Sequence, residues 1–328
     1  MLATTIGQQL VNGLTLGGMY ALIALGYTLV YGIMLMINFA HSEMFMSGAY
    51  VGLFTLQLLT NQTVITNAAK VVPFLSGLQS ARVFFTGSGI GLFICFVIVF
   101  GVAMVAIGIM GMLIERFAYR PLRHAPRLAP LISAIGVSIF LQNAVLLWID
   151  SKAIPFPKVM PVHDIKLGGG VSISTLQILI LVTTLVLLAC LDTFVSHTKI
   201  GKAMRATSQD REAAGLMGID INAVIALAFF IGPALGAVAG VFAGMYYGSV
   251  SFSMGFLPGI KSFTAAVIGG IGNLRGAILG GFALGIIESL AAGFLSSGYK
   301  DVVAFAILIL VLIFRPGGLL GESVVEKV

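Results

Sequence analysis

Ionisable side chains inside long apolar runs are where chemistry could sit in this 328-residue chain. Glu43 and Glu288 are two such groups. A carboxylate at the centre of a membrane span costs about 2.5–3.5 kcal/mol on insertion scales, so it is kept only beside a partner or a wet cavity. The chemistry open to it there is proton carriage or contact with a passing solute. Glu43 closes the polar cluster Asn38, His41, Ser42, Glu43 near the start of the second apolar run. That place admits a second reading, in which Asn38 is a helix N-cap and Ser42 and Glu43 satisfy nearby backbone donors. Gln142 and Asn143, within IFLQNAVLLW, are further path candidates, although such amides more often bond a neighbouring helix. Asp150, Asp192 and Asp301 fall at the ends of apolar runs, where water is near, and carry little functional signal.

Several other chemistries are excluded. No GxxxxGK[ST] occurs, so the chain cannot cradle ATP phosphates in a P-loop by itself. CxxC pairs and HExxH are absent, and His41, His124, His163 and His197 are widely scattered, so neither a metal site nor a cofactor is expected. Without a GxSxG elbow, an enzyme active site has no support.

The elements that must position these residues are membrane helices. Apolar residues make up 59% and charged residues 9% of the chain, against roughly 25% charge in soluble domains. The 41 glycines suit close helix packing, and Cys95 and Cys190 read as small core hydrophobes. Net charge +6 reflects loop arginines rather than a nucleic-acid surface, and the partner it implies is the lipid bilayer. At about 20 apolar residues per crossing, spans fall near 8–34, 36–59, 90–114, 128–149, 174–195, 221–248, 276–295 and 301–315. The apolar piece 259–271 is counted as a short ninth crossing, with a broken or re-entrant segment as the alternative. The expected fold is an all-α integral membrane protein, a polytopic bundle of 8–9 segments in a single domain over 1–328. The first run lacks a basic n-region and a cleavage site, so it is expected to stay as a helix. Segments 60–89 and 150–173 are the long loops, the second carrying Pro155, Pro157, Pro161 and Gly168 to Gly170.

Nine crossings put Arg116, Arg120, Arg123, Arg127, Lys199, Lys202, Arg205, Arg211, Arg275, Arg315 and Lys327 on one side. The other side collects Lys70, Arg82, Lys152, Lys158, Lys166 and Lys300. The positive-inside bias makes the first side cytoplasmic, with the N-terminus outside and the C-terminus inside. Within the spans, Gly232, Gly236, Gly240, Gly244 and Gly248 recur at every fourth position and form one helix ridge, with Pro233 expected to kink it. Gly272, Gly276 and Gly280 repeat the spacing. Tight packing is the favoured reading over a sliding groove. No strong internal duplication is visible, which leaves inverted repeats open.

Lys199 to Asp220 is a charged island between two such spans, in the loop 196–220. Thr207 and Asp210 form an [ST]xx[DE] signal, so a helix is expected from about Ser208 to a stop at Gly218, roughly 15 Å long. Arg211 and Glu212 supply charge, and Ala213, Ala214, Leu216 and Met217 supply small and apolar contacts, with Gly215 among them. Such a helix could rest on the lipid surface or fit a cleft on a soluble partner.

EAAGLMG, residues 212 to 218, resembles the EAAxxxG signature of the permease subunits of bacterial ABC importers. That resemblance implies that Glu212, Ala213, Ala214 and Gly218 belong to a coupling helix seated in a groove of an ATPase subunit. The rest of the chain is similar to branched-chain amino acid permeases of the LivH type, through GxxYALIALGYTLVYG (17–32), INFAH (37–41), LISAIGVSIFLQN (131–143) and KSFTAAVIGGIGNLRGAILGG (261–281). Ser42 stands where that family often has glycine. The resemblance implies a bacterial inner-membrane permease for leucine, isoleucine and valine. Its implied partners are a second homologous permease, two cytoplasmic ATP-binding subunits and a periplasmic solute-binding protein. The alternatives are a proton-coupled secondary transporter using Glu43 or Glu288, and an ABC permease for urea or amides.

Overall fold

A computed structural model describes residues 2–72, 77–123, 125–126, 128–315 and 317–321. His124, Arg127 and Lys327 lie outside the described residues. The helices are α1 (Leu2–Met34), α2 (His41–Thr60), α3 (Gln62–Val71), α4 (Gly77–Gly87), α5 (Gly89–Ile114), α6 (Leu128–Trp148), α7 (Thr175–His197), α8 (Lys199–Gln209), α9 (Arg211–Leu216), α10 (Ile221–Tyr247), α11 (Phe256–Gly269), α12 (Leu274–Phe294) and α13 (Lys300–Phe314). Short strands β1 (Ile154–Pro155), β2 (Asp164–Gly168), β3 (Val171–Ser174) and β4 (Ser249–Val250) form two antiparallel pairs, β1 with β4 and β2 with β3.

Among the described residues, seven helices are long and apolar enough to cross a membrane: α1, α5, α6, α7, α10, α12, and α13 taken with the helical turn before it (Ser297–Phe314). With the 20-residue α2 and the short apolar α11 the count reaches nine. The starts of α5, α7, α10 and α12 are set by side chains that accept from the first free backbone N–H groups: Ser88, Ser174, Asp220 and Asn273. Segment 60–89 is not a plain loop. Asn61 caps α3, and Arg82 on α4 donates to the Thr60 carbonyl at 2.9 Å, which folds two short helices over the end of α2.

Helix packing reveals a symmetry that the sequence conceals. α1 packs on α12 and α11, while α10 packs on α5 and α2; α2 also meets α5 and α6, as α11 meets α12 and α13. Exchanging α1, α2, α5 and α6 for α10, α11, α12 and α13 maps one set of contacts onto the other. The chain runs in opposite directions in the two sets, because α1 ends beside the 199–220 island and α10 begins there. This is an inverted repeat, with α7 supplying the odd crossing that reverses the second half.

α11 enters from the end of the bundle opposite the island, after Gly248, and leaves at the island end. There the Ile268 and Gly269 carbonyls accept from Leu319 and Leu320 at 2.8 and 3.1 Å. It therefore traverses rather than re-enters, but only as half a helix. Its first turn abuts Ser42 at the start of α2, where a Cβ at Gly255 or Gly259 would overlap Ser42. α2 is likewise a late starter. His41 packs against Gly26 and Gly236, and Gly236 lies roughly 20 Å along α10.

The glycine ridge of α10 carries this contact. A Cβ at Gly240 would overlap the Phe45 carbonyl, Gly232 faces the backbone of Gly26, and Gly244 faces Phe156 and Val250. Gly248 is not part of the ridge: with φ +71° and open space around it, it is the left-handed cap that ends α10. Pro233 lies inside α10 and leaves the Phe229 carbonyl without its helical donor, and that oxygen faces the bare backbone of Gly111 on α5. α12 and α1 meet through Gly281 on Ala21, Gly285 on Gly17 and Gly13 on Ile286. Gly240→Ala is expected to destabilise the protein by about 1–3 kcal/mol, the cost of overpacking. Gly101→Ala, with nothing within 4 Å, should leave the melting temperature of the detergent-solubilised protein unchanged.

Candidate functional site

Three polar constructions stand out in this apolar bundle. The first is the junction where the two half-helices begin. Asn38 does not cap α2. Its backbone carbonyl accepts from His41 N at 3.0 Å, its side chain accepts from the Tyr119 hydroxyl at 2.7 Å, and Ala40 occupies the cap position. Ser42 and Glu43 do not cap it either, because Ser42 Oγ donates to the Phe39 carbonyl at 2.8 Å and Glu43 turns towards α6. Glu43 Oε1 accepts from Ser138 Oγ at 3.3 Å and Ser42 Oγ at 3.4 Å. Its Oε2 has no partner among the described residues and faces Gly255.

His41 is wholly buried, with its ring 4.8 Å from that of Tyr27 in an edge-on arrangement. Its nitrogens find no well-directed hydrogen bond, the Ile23 carbonyl being a weak backbone neighbour. Beside the junction, the space lined by Tyr27, Tyr31 and Phe263 is about 10 Å³, which admits one water at most. Asn143 is exposed on α6 and donates to the Ile139 carbonyl of its own helix at 2.8 Å.

The second construction is a buried ionic cluster. Lys261 of α11 donates to Glu288 Oε1 of α12 at 2.6 Å, and Glu288 Oε2 accepts from the Tyr20 hydroxyl of α1 at 2.9 Å. Lys261 Nζ also lies 2.5 Å from Asp301 Oδ1 at the start of α13, an ionic contact without hydrogen-bond geometry. Lys261 and Glu288 are almost fully buried, whereas the Asp301 side chain is one-third exposed. Asp301 thus has a role that its position at a span end did not suggest. Lys261 was the legible signal, a lysine within an apolar segment, but its carboxylate partners lie on two other helices.

The third construction is the island. Thr207 does not open a helix: its hydroxyl donates to the Ala203 carbonyl at 2.8 Å in the last turn of α8. The break falls at Asp210, whose extended backbone and side chain, accepting from Ala213 N at 3.0 Å, cap the separate six-residue α9. One continuous helix of about ten residues is therefore replaced by two joined at an N-cap. Gly218, at φ +84°, ends α9, and Ile219 N donates back to the Ala214 carbonyl. Ala214 is buried, while Glu212, Ala213 and Gly215 are exposed and Leu216 and Met217 are 89% and 84% exposed.

Arg211 points the other way. Its guanidinium donates to the Ile33 carbonyl in the last turn of α1, at 2.9 Å from Nε, which anchors α9 to that helix end. Burial, and then the like charge of Arg123, pulls the Arg211 guanidinium below its ordinary pKa. Arg123 in turn pairs with the buried Glu115 and donates to Asn222 at 2.6 Å, so the ends of α5 and α10 are tied at the same level.

The sequence profile described as the branched-chain amino acid transport system permease component matches residues 9–312. The chain is 48% identical to the high-affinity branched-chain amino acid transport system permease protein BraD of Pseudomonas aeruginosa over 98% of this chain and 97% of that one. It is 43% identical to LivH of Escherichia coli, a protein of the same description, with the same coverage. A probable branched-chain amino acid transport permease of Methanocaldococcus jannaschii is 27% identical over 98% of this chain. No solved structure matches. With a family profile spanning nearly its full length and relatives 43–48% identical across nearly the whole chain, this chain belongs to the permease components of branched-chain amino acid transport systems.

Proposed function

We propose that this protein is the membrane-spanning permease of an ABC importer that passes leucine, isoleucine and valine across a bacterial inner membrane, driven by separate ATPase subunits. The observation that carries the reading is the anchored, projecting α9 on a chain of this family. Leu216 and Met217 stand out from the bundle while Arg211 ties the same short helix to the end of α1. An apolar tip backed by Glu212 suits a groove on a soluble partner better than it suits water. The chain lacks a P-loop and so needs such a partner. The distribution of arginines supports a cytoplasmic island, an outer N-terminus and a cytoplasmic C-terminus. A second homologous permease and a periplasmic solute-binding protein complete the assembly in this reading. Asn38, His41 and Glu43 then line a gate that is shut here, and the route opens where α2 and α11 separate.

A proton-coupled carrier is the less favoured reading, because Glu288 is occupied by Lys261 and Tyr20 and is not a free proton site. The names of the relatives favour branched-chain amino acids over urea or amides.

Glu212→Lys and Leu216→Asp are expected to abolish ATP-dependent leucine uptake in reconstituted proteoliposomes and to release the ATPases on purification, with membrane insertion unchanged. Normal uptake in both would remove the docking role. Arg211→Gln, which cuts the tie to α1, should retain the ATPases yet uncouple hydrolysis from uptake. Lys261→Met leaves Glu288 and Asp301 without their cation and should cost about 3–5 kcal/mol of stability, with partial recovery in the Lys261→Met/Glu288→Gln double variant. Glu288→Gln alone should keep most ATP-driven uptake; if it inserts normally but transports nothing, the carboxylate acts in transport and the proton-carrier reading returns.

A further inference from the structure

A groove of about 500 Å³ lies at the end of the bundle opposite the island, between the starts of α1 and α7, the end of α10 and the β2–β3 hairpin. Its size falls in the usual range of small-molecule sites. Its walls are fixed by hydrogen bonds between segments far apart in the chain. Gln8 Nε2 donates to the Ser172 carbonyl at 3.1 Å and Ser172 N donates to Gln8 Oε1 at 3.0 Å, so the amide of α1 reads the hairpin backbone in both directions. Gln177 of α7 donates to Asn12 Oδ1 at 3.0 Å, and Thr4 Oγ1 donates to the Gly169 carbonyl at the hairpin tip. Thr175 N and the His163 carbonyl close the lower edge at 3.0 Å.

The lining combines three chemistries. Lys158 and Asp164 put one cation and one anion on it, and neither has an ion-pair partner among the described residues. Val162, Leu176 and Met245 supply an apolar surface between the strands and the end of α10. An exposed cation, an exposed anion and aliphatic side chains lining one groove complement a zwitterion that carries an aliphatic chain. Neither an anion alone nor an apolar solute would use both charges.

We infer that this groove is a reception subsite for a zwitterionic α-amino acid with an aliphatic side chain, with Lys158 facing the carboxylate, Asp164 the ammonium, and Val162, Leu176 and Met245 the side chain. The inference rests on the proposed transport reading, which makes this the face where solute is delivered. It adds that the permease itself, and not only a binding protein, discriminates the solute.

Equilibrium binding of radiolabelled L-leucine to the assembled permease–ATPase complex in nanodiscs, without binding protein, tests it. The wild type should bind saturably, with displacement by valine and isoleucine but poor displacement by 4-methylpentanoate, which lacks the ammonium, and by 3-methylbutylamine, which lacks the carboxylate. Asp164→Asn and Lys158→Gln should each weaken leucine binding about tenfold, the loss of one charge-assisted contact. Asp164→Asn should also narrow the gap between leucine and 4-methylpentanoate. Absence of saturable binding, or unchanged affinity and competitor ranking in both variants, overturns the subsite. ATP-driven uptake with binding protein is measured on the same preparation. Uptake without binding removes the subsite alone, whereas no uptake of any branched-chain amino acid removes the transport reading beneath it.

Discussion

Two helices of this bundle begin deep inside it, and that constrains everything around them. The first backbone N–H groups of a helix have no partner within it, and in a membrane interior water is not there to supply one. α2 meets the demand locally: His41 N donates to the Asn38 carbonyl and Glu43 N to the Ala40 carbonyl, a tightened first turn. α11 meets it partly by omission. Pro258 occupies the third position and has no N–H to satisfy, and Gly259 N is taken up by the Gly255 carbonyl. Both starts are then closed by contact with each other through Ser42, Gly255 and Gly259, where no Cβ could be placed without displacement.

A half-helix also needs lateral support. The 14 residues of α11 extend about 21 Å, too short to cross a hydrocarbon core of about 30 Å. Lys261 supplies the support by joining α11 to α12 through Glu288 and to α13 through Asp301, while Tyr20 extends the cluster to α1. Such a cluster adds little net stability over a well-packed apolar set, but its geometry is specific, since a rotated or shifted α11 would strand a charge. The mirror half uses a weaker device, the Ser138 hydroxyl on Glu43. The two half-helices are therefore held unequally: α11 is pinned by charge, and α2 rests on a neutral donor and one unpartnered carboxylate oxygen.

Long apolar runs made the spans legible, because their caps and lengths are local properties: Ser88, Ser174 and Asp220 fall where the apolar windows begin. The short segment near 259–271 was legible as an anomaly of length. What the sequence withheld is relational. Lys261 and Glu288 are 27 residues apart and Asp301 lies on a third helix, so no spacing rule joins them. Local signals alone suggest cap roles for both Asn38, as one of two readings, and Thr207, through its spacing from Asp210. In each case a competing partner prevailed, the Tyr119 hydroxyl for Asn38 and the Ala203 carbonyl for Thr207. The inverted repeat escaped because it is a symmetry of packing and direction, sustained by different residues in each half.

The same packing determines how a push on α9 would travel. Arg211 joins α9 to the last turn of α1, and α1 lies against α12 along Gly13, Gly17, Gly281 and Gly285 with hardly any side-chain layer between. Side chains hop between rotamers and absorb displacement, whereas backbone in contact with backbone does not, so α1 and α12 move together. Lys261 and Glu288 then carry α11 with them. α2 is joined to the same framework through α10: Gly240 lies on the Phe45 carbonyl and Gly48 on Ala237, while Gly232 of α10 lies on Gly26 of α1. It touches α1 mainly where the His41 ring fills the space left by Gly26, and its longer contacts are with α10 and α5. A displacement delivered at Ile33 therefore reaches the junction of α2 and α11 both directly, across the His41–Gly26 contact, and through α10, which lies against α1 at Gly232 and against α2 at Gly240. That junction holds His41, Ser42 and Glu43 with the first turns of both half-helices, so a relative shift of α2 and α11 would act first on the polar groups gathered there.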